Sequence, residues 1–291
     1  MIMLKKKCFK SKRTIVHGFC FQMLLGAVAF ALLTMPAKAH DNHERHEQRA
    51  KWTRGHQENE QPWGATSIII ETTDNDIELQ VFVDGFLWKS LQVFTPDERR
   101  IFNLSTRRNI KRQGGLSELF FASEPTHYLE NEPNFDGTID EFLARFPEGE
   151  YEFEGSTVDG VQLSGSATLT HVLPALPEIT APVSDGDDPP MVDPNNLVIE
   201  WEPVTTQFMS DDPVEIIEYQ VILDQEDPIR DVPWIDGKTR RALINLPPDV
   251  TRFKVPPEFL LPNTSYAFEI MAIEASGNST ISVGEFFTSG P

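Results

Sequence analysis

The stretch that decides the fold class is residues 150–170, EYEFEGSTVDGVQLSGSATLT. Apolar Tyr151 and Phe153 alternate with glutamates, and the alternation resumes after Asp159-Gly160 as far as Leu169. Period-two alternation is typical of a strand with one buried face, and Asp-Gly between two such runs is a strong hairpin pattern. The stretch therefore predicts an antiparallel β-hairpin whose glutamates face water.

A similar pattern lies upstream. Ile77, Leu79, Val81 and Val83 alternate with polar or bulkier residues, and Asp84-Gly85 follows. We predict a second hairpin here, with one buried face and with residues 86–94 as the return strand. Thr95-Pro96-Asp97-Glu98 predicts the next turn.

One helix interrupts the strands. Thr138 and Glu141 have the spacing of a capping box, in which each side chain satisfies a free backbone N–H. Apolar residues then recur at helical spacing until Pro147 and Gly149 end the segment. Residues 65–173 are thus predicted to be one β-rich domain, a sandwich or barrel with one short helix, of a family that the sequence does not identify.

Residues 174–177, at the end of the run LPALP, predict a short linker stiffened by proline. Beyond it, LVIEWEP at 197–203 and LPNTSYAFEI at 261–270 resemble a strand and the tyrosine corner of a fibronectin type III domain. The resemblance implies that residues 178–291 form a β-sandwich with Trp201 in its core and a hydrogen-bonded Tyr266. The fold class predicted for the chain is therefore all-β, with one short helix.

The first 39 residues resemble an export signal. Basic residues precede a short apolar run, and small residues precede a cleavage site after Ala39. An uncleaved membrane anchor is the alternative, although His17 and Gln22 interrupt the apolar run. Cleavage would remove both cysteines, leave no transmembrane segment and expose residues 40–64 as a disordered, polar, histidine-rich leader, so that ordered structure would begin at residue 65. We expect a periplasmic or secreted, bacterial protein.

Charge excludes some partners. The chain carries 25 Lys+Arg against 45 Asp+Glu, a net charge of −20, which disfavours non-specific binding to nucleic acid or to an anionic membrane surface. Against this background, basic residues cluster in one segment and form the candidate binding patch: Arg99, Arg100, Arg107, Arg108, Lys111 and Arg112. The cluster either binds an anionic polysaccharide, a lipid headgroup or an acidic protein, or it neutralises an acidic face of the same molecule or of its neighbour.

Two sets of residues are candidate metal ligands, and no cofactor is expected other than a Ca²⁺ ion. Asp74, Asp76, Asp185 and Asp187 offer oxygen ligands for Ca²⁺, but turn formation alone explains their positions. The leader histidines, among them His40 and His43, could bind Zn²⁺ or Cu²⁺, but a solvated polar segment is the preferred explanation.

The sequence contains no nucleophile elbow, zinc-protease motif or phosphate-binding loop. We therefore expect an exported, non-enzymatic binding or structural protein whose fibronectin type III-like module acts as a spacer or an interaction surface. The alternatives are a calcium-dependent carbohydrate binder and part of a carbohydrate-active system. If the chain were itself a carbohydrate-active enzyme, it would need two carboxylates that face each other across a cleft within 65–173.

Overall fold

The computed structural model describes residues 60–130, 132–184, 186, 188–226 and 240–290. The export signal, most of the leader, His40, His43, Asp185 and Asp187 lie outside these residues. The strands are β1 (Glu60–Pro62), β2 (Ala65–Thr72), β3 (Asp76–Phe94), β4 (Arg100–Ser105), β5 (Leu116–Ala122), β6 (Thr126–His127), β7 (Gly149–Thr157), β8 (Gln162–Leu169), β9 (Ile179–Ala181), β10 (Met191–Val192), β11 (Val198–Trp201), β12 (Ile216–Gln225), β13 (Arg241–Leu246), β14 (Arg252–Lys254), β15 (Ser265–Glu274) and β16 (Ser279–Thr288). The helices are α1 (Arg108–Gln113), α2 (Ile139–Arg145) and a 3-10 turn at Pro257–Phe259.

The all-β prediction is confirmed, because strands form most of the described chain and the helices are short. The strands enclose two separate apolar cores. One is built from residues between Trp63 and Leu173, and the other from residues between Leu197 and Phe286. None of the helices in the described ranges is long and apolar enough to cross a bilayer.

The long strand β3 organises the first half. Up to Asp84 it pairs with β2 on one side and with β6 and then β5 on the other. Trp88 pairs with both β5 and β7, and beyond it the partners of β3 are β4 and β7. Asp84 is opposite Glu118 and Trp88 is opposite Leu116, so three residues of β3 face a single residue of β5. This bulge lets one strand change partners, which is how strands turn a corner between layers.

The hairpin predicted at Asp84-Gly85 is wrong. The chain does not reverse there but continues as one strand from Asp76 to Phe94. A Cβ atom on Gly85 would lie 2.7 Å from Cε3 of the buried Trp63 ring. Glycine is therefore needed for the close approach of an indole ring, which the dipeptide alone does not reveal.

The predicted hairpin at 150–170 and the predicted helix are present, but the prediction of a single helix in this half is wrong, because Arg108–Gln113 forms a second one, α1. β7 and β8 form an antiparallel hairpin around Gly160, whose φ is +93°. The capping box is present, since Glu141 N donates to Thr138 Oγ1 and Thr138 N donates to Glu141 Oε2. α2 buries Phe142 against the first core.

The predicted start of order at residue 65 is too late. β1 pairs in parallel with β8, and Trp63 is buried with its Nε1 donating to Phe153 O (3.0 Å). The polar composition of residues 40–64 concealed this, because a single tryptophan supplies the apolar anchor.

The second half is a sandwich of two layers. β9, β11 and β14 form a three-stranded sheet, and β13, β12, β15 and β16 lie side by side in the other layer. Trp201, Tyr219, Tyr266, Phe268 and Phe286 are buried between the layers.

The two halves share a sheet edge. β2 pairs in parallel with β16, at Glu71 with Ser279 and at Thr72 with Thr280. The linker predicted at 174–177 is also hydrogen-bonded, since Ala175 N donates to Thr206 O (2.8 Å).

The buried side chain of Asn278 makes hydrogen bonds across this junction. Its Oδ1 accepts from Ile70 N (2.8 Å), and its Nδ2 donates to the carbonyl oxygens of Thr170 and Val172 (both 2.9 Å). One side chain thus joins three backbone groups of the first half to the second half.

Candidate functional site

The basic residues predicted as a binding patch lie in a segment of 19 residues, 99–117, that contains no Asp or Glu. The structure places Arg99 and Arg100 at the start of β4 and the other four cations beyond its end. A six-residue strand spans about 20 Å. The predicted patch is therefore divided into two groups.

The group at the start of β4 has local partners. Arg99 Nε lies 2.7 Å from Asp97 Oδ2, and Arg100 Nη1 donates to Gln92 Oε1 (2.9 Å). The hydroxyl of Thr95, followed by Arg99, lowers the pKa of Asp97 below its ordinary value. Arg99 is therefore paired with a neighbouring carboxylate, whereas Arg100 is bound to a neutral amide.

The group beyond β4 surrounds α1 and is exposed. Arg107 precedes the helix, and Arg108, Lys111 and Arg112 lie on it with no residue of the helix buried. Within the part of the chain that the structure describes, none of the four has a carboxylate within 4.0 Å. Four cations are thus presented to solvent side by side.

Apolar side chains accompany these cations. The β3 bulge exposes Phe86 (84%) and Leu87 (54%), and α1 exposes Ile110 (48%). The bulge and the helix touch, because a Cβ atom on Gly114 would lie 3.1 Å from Leu87 Cδ2. We call this surface the basic tip; its members are Phe86, Leu87, Arg107, Arg108, Ile110, Lys111 and Arg112.

The sequence indicated the cations of the basic tip but not its apolar members. Phe86 and Leu87 follow Asp84-Gly85, and the alternation predicts that they belong to a return strand. Their exposure depends on the bulge, which the pairing of β3 with β5 determines. The next residue, Trp88, is fully buried in the first core.

The predicted calcium ligands of the first half lie in a tight turn between β2 and β3. Thr73 Oγ1 donates to Asp76 Oδ1 (2.8 Å), and Asp76 is buried, whereas Asp74 is exposed. His127 Nδ1 lies 4.0 Å from Asp76 Oδ2. Among the residues that the structure describes, no group of three or more His, Cys, Asp or Glu side chains is arranged to hold a metal ion.

A buried cluster of carboxyl groups lies beside the junction of the halves. Glu71 on β2 is opposite Glu78 on β3, and Gln80 Nε2 donates to Glu78 Oε1 (2.8 Å). Burial, then the charges of Glu78 and Glu269, raises the pKa of Glu71 to about 8. Burial likewise raises the pKa of Glu78 and of Glu269 to about 7.

Sequence reasoning missed this cluster. Alternation placed Glu78 and Gln80 on a solvated face, but both faces of β3 are buried at this level. Glu71 and Glu78 do face each other, yet each is only 3% exposed. They are not the pair across an open cleft that a glycosidase site would require.

Comparisons with known proteins add little. No protein-family model matches the chain, and no curated protein matches it. Among solved structures, the crystal structure of the chicken CNTN1 FN1–FN3 domains is similar over 79% of this chain and 68% of that chain, at 11% identity and a TM-score of 0.31. A likeness at this level does not assign the chain to a family.

Proposed function

We propose that the chain is an exported, non-enzymatic binding protein of the bacterial cell envelope or extracellular space, and that it binds anionic partners through the basic tip. The observation that carries the proposal is the presence of four exposed cations, without carboxylate partners among the described residues, on a chain of net charge −20. A cluster of positive charges on an otherwise acidic protein raises the local concentration of anionic partners. The signal-like residues 1–39 support the exported location.

We also propose that the second half is a fibronectin type III-like module. It acts either as a spacer that supports the first half or as a second binding surface. Trp201 is buried, and Tyr266 Oη accepts a hydrogen bond from Leu261 N (2.8 Å), which is the geometry of a tyrosine corner. The three-plus-four arrangement of strands supports the same assignment.

The test is a binding screen of the full chain against anionic and neutral envelope polysaccharides. We expect binding to anionic polymers that weakens with salt and is lost when Arg107, Arg108, Lys111 and Arg112 are all changed to alanine. The matched control changes Arg252 and Lys254, which are exposed cations on β14. Equal binding by the tip variant and the wild type would contradict the proposal, as would no binding to any anionic probe, lipid vesicles included.

A further inference from the structure

We infer that the basic tip is a docking surface for an anionic lipid bilayer. The inference rests on the proposed function, because it names the partner of the same surface. It is carried by the combination of cations with exposed apolar side chains at one point of the molecule.

The apolar members of the tip favour a bilayer over a polysaccharide. Phe86, Leu87 and Ile110 are all exposed, and Phe86 more than any other large apolar side chain of the described residues. A sugar polymer stacks on an aromatic ring but offers no apolar volume for leucine and isoleucine. The boundary between headgroups and acyl chains accepts all three side chains.

The backbone holds these side chains outward. Leu87 O accepts a hydrogen bond from Val158 N (3.0 Å), and Lys89 O accepts one from Thr106 N (2.7 Å). Leu87 has a φ of +50°, a left-handed conformation that leucine seldom adopts without support from its surroundings. Because the backbone of the bulge is already held by these hydrogen bonds, binding would not require it to be ordered anew.

The cations supply the preference for anionic lipid. Carboxylates occur on adjoining segments, with Asp84 opposite Glu118 on the strands and Asp159 in the β7–β8 turn. Lys89 and the four cations around α1 outnumber them. The remaining surface is strongly acidic, so an anionic bilayer attracts the tip and repels the rest of the chain, which orients the molecule.

The first experiment is co-sedimentation of the full chain with vesicles of phosphatidylglycerol and phosphatidylcholine in equal parts, and with vesicles of phosphatidylcholine alone. We expect binding to the anionic vesicles. Lys111→Ala with Arg112→Ala should weaken it about 30-fold, and Phe86→Ser with Leu87→Ser at least about tenfold. The matched controls are Arg252→Ala with Lys254→Ala, and Met209→Ser, an exposed apolar residue of the second half.

The second experiment detects insertion. The chain has only Cys8 and Cys20, so Cys8→Ser and Cys20→Ser leave Phe86→Cys as a single labelling site. A polarity-sensitive fluorophore there should shift to the blue on anionic vesicles, while one attached through Met209→Cys should not shift.

Three outcomes separate this inference from the proposed function. Vesicle binding that needs both the cations and the apolar pair supports both. Binding to an anionic polysaccharide, or to a second copy of this acidic chain, without vesicle binding overturns the lipid inference but leaves the proposed function standing. No binding to any anionic probe overturns both.

Discussion

Glu71 is a buried carboxyl group surrounded by other carboxyl groups. It faces Glu78 across the β2–β3 pair, where directly opposed Cβ atoms are about 5 Å apart. With a pKa of about 8, Glu71 holds its proton at neutral pH. The cluster is therefore compatible with folding because part of its charge is neutralised by protonation instead of by cations.

This protonation makes stability depend on pH. The unfolded carboxyl group has a pKa near 4.5, so between that value and about 8 the folded chain keeps a proton that the unfolded chain releases. Raising the pH through this window should lower the free energy of unfolding by on the order of 2–4 kcal/mol. We expect Glu71→Gln to flatten the profile measured by urea denaturation between pH 5 and pH 8.

Glu150→Gln provides the control, because Glu150 is an exposed glutamate on β7. Its stability profile should run parallel to that of the wild type. Identical slopes for the wild type and Glu71→Gln would mean that Glu71 is ionised in the folded chain.

At the scale of elements, two identical dipeptides have different roles. Asp159-Gly160 forms the turn of a hairpin, with Gly160 at positive φ, whereas Asp84-Gly85 lies within a strand, where Gly85 admits the Trp63 ring. Local sequence predicted the first correctly, together with α2 and its capping box. It failed for the second because contact with a residue 22 positions away decides the conformation.

The glycine at the end of α1 allows a test of how the tip is held. Gly115 has a φ of +92°, and a Cβ atom there would lie 2.2 Å from Trp88 O; Gly160 has a φ of +93° and open space around it. Gly160→Ala should cost about 1–2 kcal/mol from backbone strain alone. Gly115→Ala should cost at least about 2 kcal/mol more, because the carbonyl of Trp88 must move.

Thermal and urea unfolding of the two alanine variants measure this difference directly. Equal losses of stability would contradict the close packing of α1 on β3.

At the scale of the whole molecule, the junction between the halves depends on Asn278. Replacing it with alanine leaves Ile70 N, Thr170 O and Val172 O without their partner in a buried place. We expect Asn278→Ala to lower the free energy of unfolding by more than about 2 kcal/mol. Amide exchange should accelerate at Ile70 while that of Val81, in the middle of β3, stays slow.

Asn245→Ala is the matched control, since Asn245 is exposed and accepts a hydrogen bond from Gln220 within the second half. It should leave exchange at Ile70 unchanged. Unaltered exchange at Ile70 in Asn278→Ala would show that the β2–β16 contact does not need the amide.

The sequence predicted two β-rich halves but not the sheet that joins them. Strand alternation is a local property, whereas the β2–β16 pairing depends on which edges remain free once each half has folded. The same limit applies to the candidate site. The cations around α1 were evident from composition, but Phe86 and Leu87 became candidates only through the bulge in β3.

The hydrogen bond from Ile70 N to Asn278 Oδ1 has a consequence for the synthesis of the protein. The two residues are 208 positions apart, so a ribosome that works at about 5–20 residues per second needs about 10–40 s to deliver the second after the first. Until then Glu71 and Thr72, the residues of β2 that pair with β16, lack that partner, and an unpaired strand edge can pair with a neighbouring chain. Because the chain emerges from its N-terminus onward, β16 can protect this part of β2 only late in synthesis.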